Sequence, residues 1–507
     1  MTSASGDSFP PTLDAREREH LVQVIKDWSI AYGLAVRPPP AVVNNDPDGI
    51  LAINAPVTLF PSPFPKSCFE EARAIQRAYN ELYANISRDE DFLRDIVQEV
   101  AGGDDFIANL WNVHLRVKKE GYVQSLALGL FRSDYMVHRD DDGLQIKQVE
   151  FNTIASSFGG LSAQTSLLHK HLAQTEYPLL QDSSSVSSLD LPPNESTAGL
   201  AAGLKAAYDA YGSATSGHPK CILFLVQPGE RNIFDQRHLE YAALRTGVPF
   251  VFRLTFPDIL ARTRIDPADP SRALLYSPPH NPSKTFEAAV TYLRAGYGPG
   301  DYQTDDAWEA RYHLERSRTI ACPTVLTQLA GMKKVQQVLA TPSSSELEKF
   351  VASRATRDAL LRTFTNIFPL DATDAGLEAR RLATDQEACQ RYVMKPQREG
   401  GGNNFYRGAI PEHLKTIPEE HWGSYILMEL ITPPPVANII LRNGKLEQGG
   451  VICELGIYGA CVWDQADKDR KLIYNEESGY LLRTKGDQSE EGGVAAGYGC
   501  MDSVLLV

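Results

Sequence analysis

The stretch Met394-Lys395-Pro396-Gln397-Arg398-Glu399-Gly400-Gly401-Gly402-Asn403-Asn404 decides how this chain is read. Lys395 closes the apolar run Tyr392-Val393-Met394, and Pro396 forbids a helix from continuing there. Three glycines let backbone approach a ligand closely, because no Cβ stands in the way. Lys395 and Arg398 bring positive charge for phosphate, the lysine as a point charge, and Glu399 brings oxygen for a hard cation. The run is expected to lie as a lid over a nucleotide triphosphate and its magnesium. It is not the usual phosphate loop, because no Gly-Lys-Ser/Thr follows the glycines. The plainer alternatives are a strand-end lysine in solvent and a solvated loop glutamate.

Outward from this run, residues 333–507 read as one region. Helices are expected over 344–366 and 374–390, and strands over 391–395, 424–430 and 449–454. Before it, residues 218–332 alternate strands (220–227, 249–253, 288–293) with a helix at 240–246, the pattern of a small parallel α/β unit. A proline-rich excursion at 266–285 interrupts that unit. Residues 182–197, rich in Ser, Asp and Pro, read as an exposed loop or linker. Residues 1–217 carry an amphipathic helix at 13–35, a helical region at 67–100, and strands at 126–130 and 146–152. The fold class is α/β (α+β), with a helical N-terminal region. A chain of 507 residues can hold roughly three domain-sized units, or one large unit with an insertion.

A net charge of −14 argues against nucleic acid as a main partner, so any bound anion needs a local cationic site. The seven cysteines (68, 221, 322, 389, 453, 461 and 500) are odd in number and show no C-x-x-C. They read as free thiols in a reducing, cytoplasmic compartment. No secretory signal is evident at the start, and no run approaches the ~20 apolar residues that span a bilayer.

Gln148-Val149-Glu150-Phe151-Asn152 is the second informative stretch. On a strand, Glu150 and Asn152 share a face, with Val149 and Phe151 packed on the other. Two oxygen-bearing side chains on one face suit magnesium; a polar strand face in solvent is the plainer alternative. The following Thr153-Ile154-Ala155-Ser156-Ser157-Phe158-Gly159-Gly160, with its small, hydroxylated residues and its glycines, favours a binding turn. Ser424 to Leu430 reads as a buried strand whose backbone suits a nucleobase. Glu454 closes the apolar run Val451-Ile452-Cys453 and, if buried, needs a partner such as a ribose hydroxyl. Arg483-Thr484-Lys485, followed by Glu491 to Gly497, reads as a second flap, with a plain surface loop as the alternative. Arg132, Arg231, Arg294, Arg398 and Arg483 are candidate clamps for carboxylate or phosphate. No histidine falls in a catalytic pattern, and His280 is expected to be exposed. Neither G-x-S-x-G nor H-E-x-x-H occurs. The implied chemistry is phosphate and magnesium chemistry on a carboxylate-bearing substrate.

Five stretches together resemble the eukaryotic glutathione synthetase family: Val149 to Gly160, Glu230-Arg231-Asn232-Ile233-Phe234-Asp235-Gln236, Thr327 to Gln337, Lys395 to Asn404, and Leu481 to Lys485. The resemblance runs from about residue 125 to the end. It implies a circularly permuted ATP-grasp fold with an inserted substrate-binding domain at 218–332, working as a homodimer. It implies that ATP, γ-glutamylcysteine and glycine give glutathione, ADP and phosphate through an acyl phosphate.

Carried over by resemblance, Glu150, Asn152 and Glu399 match magnesium ligands. Lys333, Lys395, Glu399, Gly400, Gly401, Gly402, Asn403, Asn404, Tyr406, Met428, Glu429, Leu430, Ile431, Glu454, Lys485 and Glu491 match the ATP site, together with Glu150. Arg132, Ala155, Ser156, Ser157, Glu230, Arg231, Asn232, Gln236, Arg294, Tyr297, Arg483, Val494 and Ala495 match contacts to the peptide substrate. Arg132, Lys395 and Arg483 are the expected catalytic residues. Ala155 stands where a serine is familiar, Leu430 where a lysine is, and Glu491 where an aspartate is. The excursion at 266–285 and the tail after Gly497 also depart from the family's pattern. Two other readings stand beside a glutathione synthetase: a ligase adding another small amino acid to the same dipeptide, and an inactive ATP- or peptide-binding homologue.

Overall fold

A computed structural model describes residues 9–39, 46, 49–141, 143–175, 189–341, 345–489, 494 and 499–507. Seven strands gathered from distant parts of the chain make its largest sheet. In order they are Val436–Arg442, Val57–Thr58, Gly499–Asp502, Leu472–Gly486, Lys445–Asp464, Leu126–Asp140 and Gly143–Asn152. The first of these also pairs with Lys445–Asp464, so five strands form a closed circuit. All pairs are antiparallel except Met501 with Val57.

This sheet is buried on both faces, and alternation along Leu126–Asp140 shows why. Ala127, Phe131 and Tyr135 join one core with Phe69, Tyr79 and Tyr83 of helix Lys66–Ser87. Leu128 and Leu130 join the other, with Leu161 and Leu168 of helix Gly159–Gln174 and Leu200 and Leu204 of helix Ser196–Ala210. Tyr83 stacks on Phe151 with ring centroids 3.8 Å apart, locking the last strand to the helix above it. Burial of this kind dominates folding, at about 25 cal/mol per Å² of apolar surface.

A second sheet has a parallel core: Val251–Thr255, Lys220–Val226, Phe286–Leu293 and Ile320–Cys322. It is mixed rather than wholly parallel, because Leu275–Tyr276 and Thr263–Arg264 add antiparallel pairs at its edge. Leu275–Tyr276 comes from the proline-rich excursion, which folds straight back onto the start of Phe286–Leu293. Such a short return can only make an antiparallel pair. His280 is exposed, as expected.

A third, four-stranded antiparallel sheet runs Ile367–Pro369, Ile426–Glu429, Tyr392–Lys395, Phe405–Tyr406. Residues 396–404 are the loop joining its last two strands. Two small apolar clusters support this sheet, one around Leu370, Met394 and Leu427 and one around Val393 and Met428.

Residues 499–506 are woven into the fold. Gly499–Asp502 lies in the large sheet, and Val504–Leu506 pairs in parallel with Ser62–Phe64. Asp502 is buried and accepts from Thr58 Oγ1 at 2.7 Å, Ser62 Oγ at 2.6 Å and Thr484 Oγ1 at 2.7 Å.

Several boundaries differ from the sequence reading. The first helix is Ala15–Tyr32, opened by an Asp14–Glu17 capping box and ended by Gly33 in the left-handed region. The region 67–100 is two helices, Lys66–Ser87 and Glu90–Val100, the second capped by Asp89. Within 344–366 lie Glu346–Phe350 and Arg354–Thr363, and within 374–390 the helix is Asp374–Thr384. The helix expected at 240–246 begins earlier, at Ile233. The supposed linker ends where helix Ser196–Ala210 starts, and its residues 182–188 fall outside the described residues. No described helix is long and apolar enough to cross a membrane. All seven cysteines are free and buried.

Candidate active site

A cavity of about 450 Å³ opens where the three sheets meet. One wall is the large sheet, which contributes Arg132, Glu150, Asn152, Glu454, Arg483 and Lys485. Another is built from loops that follow parallel strands of the second sheet, 227–232 and 294–297. The ends of parallel strands are a usual place for ligand sites in α/β sheets. The glycine-rich loop of the third sheet forms the roof.

The roof is a folded turn rather than a loose strap. Arg398 N–H donates to Pro396 O at 2.9 Å, and the Asn403 amide donates to Gly401 O at 3.0 Å. Gly400, Gly401 and Gly402 have φ of 97°, 71° and 75°, a region glycine enters freely. A Cβ on Gly400 would also stand 3.3 Å from the ring of Tyr297, so the roof touches the opposite wall. Its base is anchored by Gln397, which accepts from Lys334 N–H at 3.0 Å and donates to Ser424 O at 2.9 Å. Arg398 lines the cavity but is tied back to Asp104, the cap of helix Asp105–Glu120. As a phosphate clamp it is therefore already engaged.

Beneath the roof is a cluster of alternating charge. The Lys333 ammonium lies 3.1 Å from Glu150 Oε2 and 3.1 Å from Glu399 Oε1. Lys395 is buried, not solvated, and donates to Val149 O at 2.9 Å. Burial alone would raise the Glu150 carboxyl, but Lys333, Lys395 and Arg483 outweigh it and hold Glu150 below the usual carboxylate range. Burial pushes the Glu399 carboxyl up to about 7; Lys333 pulls against this and the Glu150 charge adds to it. Burial would lower the Lys333 ammonium, yet the two carboxylates raise it overall. Burial dominates at Lys395 and lowers it.

Two carboxylates sharing one ammonium form an oxygen set short of positive charge. Among the described residues no group of three or more His, Cys, Asp or Glu could hold a metal ion. Asn152, two positions along the strand from Glu150, offers a neutral side-chain oxygen beside the two carboxylates. Its Nδ2 donates to Asp134 Oδ2 at 2.9 Å, and an ionised carboxylate can only accept, so Oδ1 is turned away from that pair. Glu150, Asn152 and Glu399 fit a hard divalent cation such as magnesium, which prefers oxygen ligands.

The other end is fixed by backbone. Ala155, at φ 51°, turns the chain after Asn152, and Arg294 donates to Ser156 O at 2.8 Å and Ser157 Oγ at 2.7 Å. Asp235 accepts from Phe158 N–H at 2.8 Å and Gly160 N–H at 2.7 Å, satisfying the open donors at the start of helix Gly159–Gln174. Ser156 Oγ and Asn232 Oδ1 are buried on the cavity wall without a hydrogen-bond partner. Each such atom costs roughly 1–3 kcal/mol, which a ligand of matching polarity would recover. Glu230 is shaped by Asn232 N–H at 2.7 Å and by Gln236 Nε2 at 2.8 Å.

Most of the residues expected from sequence meet in this one cavity, including the arginines at 132, 231, 294, 398 and 483. Several do not line it. Lys333 lies buried behind the two carboxylates, Gln236 stands behind Glu230, and Gly402 is off the wall. Met428 is packed in the third sheet's apolar cluster, with Leu430 and Ile431 against it, and Glu429 accepts from Asn366 Nδ2 at 2.7 Å. Glu491 and Ala495 lie outside the described residues, whereas Val494 lines the cavity. Two expectations need correction. Glu454 sits in the middle of the 20-residue strand Lys445–Asp464, not at a strand end, and pairs with Arg483. Val149 lines the cavity beside Glu150, because a bulge opposite Asp134 and Tyr135 breaks the alternation there. Asp134 and Asp235 were given no role from sequence: Asp134 meets Arg483 349 positions away, and Asp235 meets the N–H groups of Phe158 and Gly160 more than 70 positions away.

The model for the ATP-binding domain of eukaryotic glutathione synthase matches residues 15–506. The glutathione synthetase large chain of Schizosaccharomyces pombe is 39% identical over 96% of this chain and 97% of its own. The glutathione synthetase of Homo sapiens is 38% identical over 97% of each. Among solved structures, a glutathione synthetase-like effector from Globodera pallida superimposes with a TM-score of 0.73 at 22% identity, covering 98% of both chains.

Proposed function

Since this chain belongs to the eukaryotic glutathione synthase family, we propose that it joins γ-glutamylcysteine to glycine with ATP, giving glutathione, ADP and phosphate. The observation that carries this reading is the joining of two unlike sites in one cavity. One end offers oxygen for a cation and lysines for phosphate; the other offers arginines and unpartnered buried polar atoms for a peptide carboxylate and amide.

A carboxylate is a poor electrophile, and phosphorylating the cysteinyl carboxylate gives it a leaving group. Positioning and charge stabilisation dominate such a step. Lys395, at the end of its strand, would face the phosphates, with Lys333 behind the two carboxylates at the same end. Arg132 and Arg483 would steady the carboxylate and the transferring phosphoryl group. Arg294, Ser156 and Asn232 would hold the dipeptide, with Ala155, Ser157, Glu230, Arg231, Gln236 and Tyr297 around them. Magnesium held by Glu150, Asn152 and Glu399 would neutralise charge on the transferred phosphoryl group. The glycine amine then attacks the acyl phosphate, phosphate leaves, and the roof keeps water away meanwhile. The nucleotide would extend towards Met428–Ile431, Glu454 and Lys485. Glu491, Val494 and Ala495 would belong to a second flap.

The fold is read as a circularly permuted ATP-grasp unit formed by 1–217 and 333–507, with 218–332 inserted as the substrate-binding domain. The protein would act as a cytoplasmic homodimer.

The test is ADP release in the presence of magnesium, with and without each substrate. Release that needs both the dipeptide and glycine supports the reading; none at all sinks it. Product analysis with glycine, β-alanine and serine identifies the acceptor, and faster turnover with β-alanine would replace glycine in the proposal.

A further inference from the structure

Asp134 is fully buried in the middle of Leu126–Asp140 and takes no part in the cavity wall. Its carboxylate is ringed by donors. Oδ1 accepts from Arg132 Nε at 2.6 Å, and Oδ2 accepts from Arg132 Nη2 at 2.9 Å, Asn152 Nδ2 at 2.9 Å and Arg483 Nη2 at 3.0 Å. Arg132 shares its strand, whereas Asn152 and Arg483 come from two others, and all three partners line the cavity.

The sheet makes room for this knot. Gly456 lies directly opposite Asp134 in the register. A Cβ there would stand 2.7 Å from Asp134 Oδ1 and 2.7 Å from Arg132 Cδ. Any larger residue at 456 would displace the pair it covers.

We propose that Asp134 is a positioning residue, which aims Arg132 and Arg483 at the dipeptide carboxylate. The inference rests on the proposed function and deepens it. A guanidinium carries its donors in one rigid plane, so bidentate capture of Arg132 fixes where its remaining N–H groups point. Arg132 also donates to Ser157 O at 3.2 Å, tying the same plane to the substrate turn. Two guanidiniums would otherwise repel each other across the cavity wall; the shared carboxylate lets both stand there. Its own charge faces no substrate.

The test compares Asp134→Asn and Gly456→Ala with the parent enzyme, measuring kcat and KM for dipeptide and for ATP separately. Asn keeps the size but turns an N–H₂ group towards one of the donors. Misplacing a positioned group by an ångström costs about 100-fold in rate, so a fall of that order is expected in kcat/KM for the dipeptide. KM for ATP should change by less than about threefold, because the lysines at the phosphate end are untouched. Gly456→Ala should give the same pattern, at roughly 10-fold, without altering any charge. Wild-type kcat/KM for the dipeptide in Asp134→Asn overturns the inference. So does a rise in KM for ATP that matches the rise in KM for the dipeptide, the mark of a merely structural residue. If Asp134→Asn does not fold, Gly456→Ala decides on the same criteria. A parent enzyme that releases no ADP sinks the function and this inference together.

Discussion

The two ends of the cavity are held by different forces. Under the roof, Glu150, Lys333 and Glu399 hold one another by charge, and Lys395 stands beside them. At the turn, backbone does the holding: Asp235 gathers the N–H groups of Phe158 and Gly160, and Arg294 takes the carbonyl of Ser156. Charges can be re-paired when a nucleotide and its cation arrive. The donors at the helix start and the Ser156 carbonyl are held by buried side chains from another part of the chain, and giving up each such bond costs roughly 1–3 kcal/mol. The first end is thus built to rearrange around a ligand, and the second to be ready before one comes.

The strongest way to break this comparison is at the charged end. Glu150→Ala and Glu399→Ala are each expected to lower turnover by at least ~100-fold, with little loss of stability. Lys333 keeps its other carboxylate in either variant, so no buried charge is left alone. Substrate-dependent ADP release and thermal melting measure both halves, and near-normal activity would remove that residue from the cation site. At the turn, stability and activity should fall together. Asp235→Ala strands the backbone donors at 158 and 160 and takes a carboxylate from Arg294, 3.6 Å away, so a loss of about 3 kcal/mol is expected by denaturant titration. Dipeptide KM should rise as well; unchanged stability would mean the turn is not preformed by this contact.

The roof lies between these cases. Gly402→Ala meets nothing within 4 Å, but φ is +75°, and the left-handed backbone costs an alanine about 1–2 kcal/mol. Turnover should drop roughly 5-fold to 30-fold if that strain falls on the closed roof. Equal kcat would show that the loop closes by another route. The smallest effect belongs to the pair Arg380–Glu419, 2.8 Å apart, whose carboxylate is exposed and lines no part of the cavity. Glu419→Ala should shift stability by no more than ~1 kcal/mol and leave activity unaltered.

Much of the site was legible because its motifs are local. Glu150 and Asn152 share a strand face, and Lys395 to Asn404 is one unbroken loop, so residue type and spacing carry the message. The knot around Asp134 was not legible, because Arg483 lies 349 positions away. Only the register of the large sheet brings them together. Strand lengths failed for a related reason. Lys445–Asp464 was expected as a strand over 449–454 alone; in the fold it runs on through Gly456 and Gly459, each of which makes room for a buried side chain, Arg132 with Asp134 at one and Asn80 at the other. Leu472–Gly486 carries the polar stretch Asn475 to Ser478, which splits its apolar residues into two short runs. Helix Gly159–Gln174 was hidden because its first turn is also the end of the binding turn, and its cap is Asp235, from elsewhere in the chain.

Thr58 and Asp502, hydrogen-bonded across the large sheet, are 444 residues apart. At the usual pace of about 5–20 residues per second, a ribosome needs roughly 20–90 s to pass from one to the other. Through that interval Val57–Thr58 has no Gly499–Asp502 to pair with, and Ser62–Phe64 has no Val504–Leu506. The sheet that carries one wall of the cavity therefore closes only after synthesis has passed residue 502. Until then those strand edges stand unpaired, and an unpaired edge is a template for pairing with another chain.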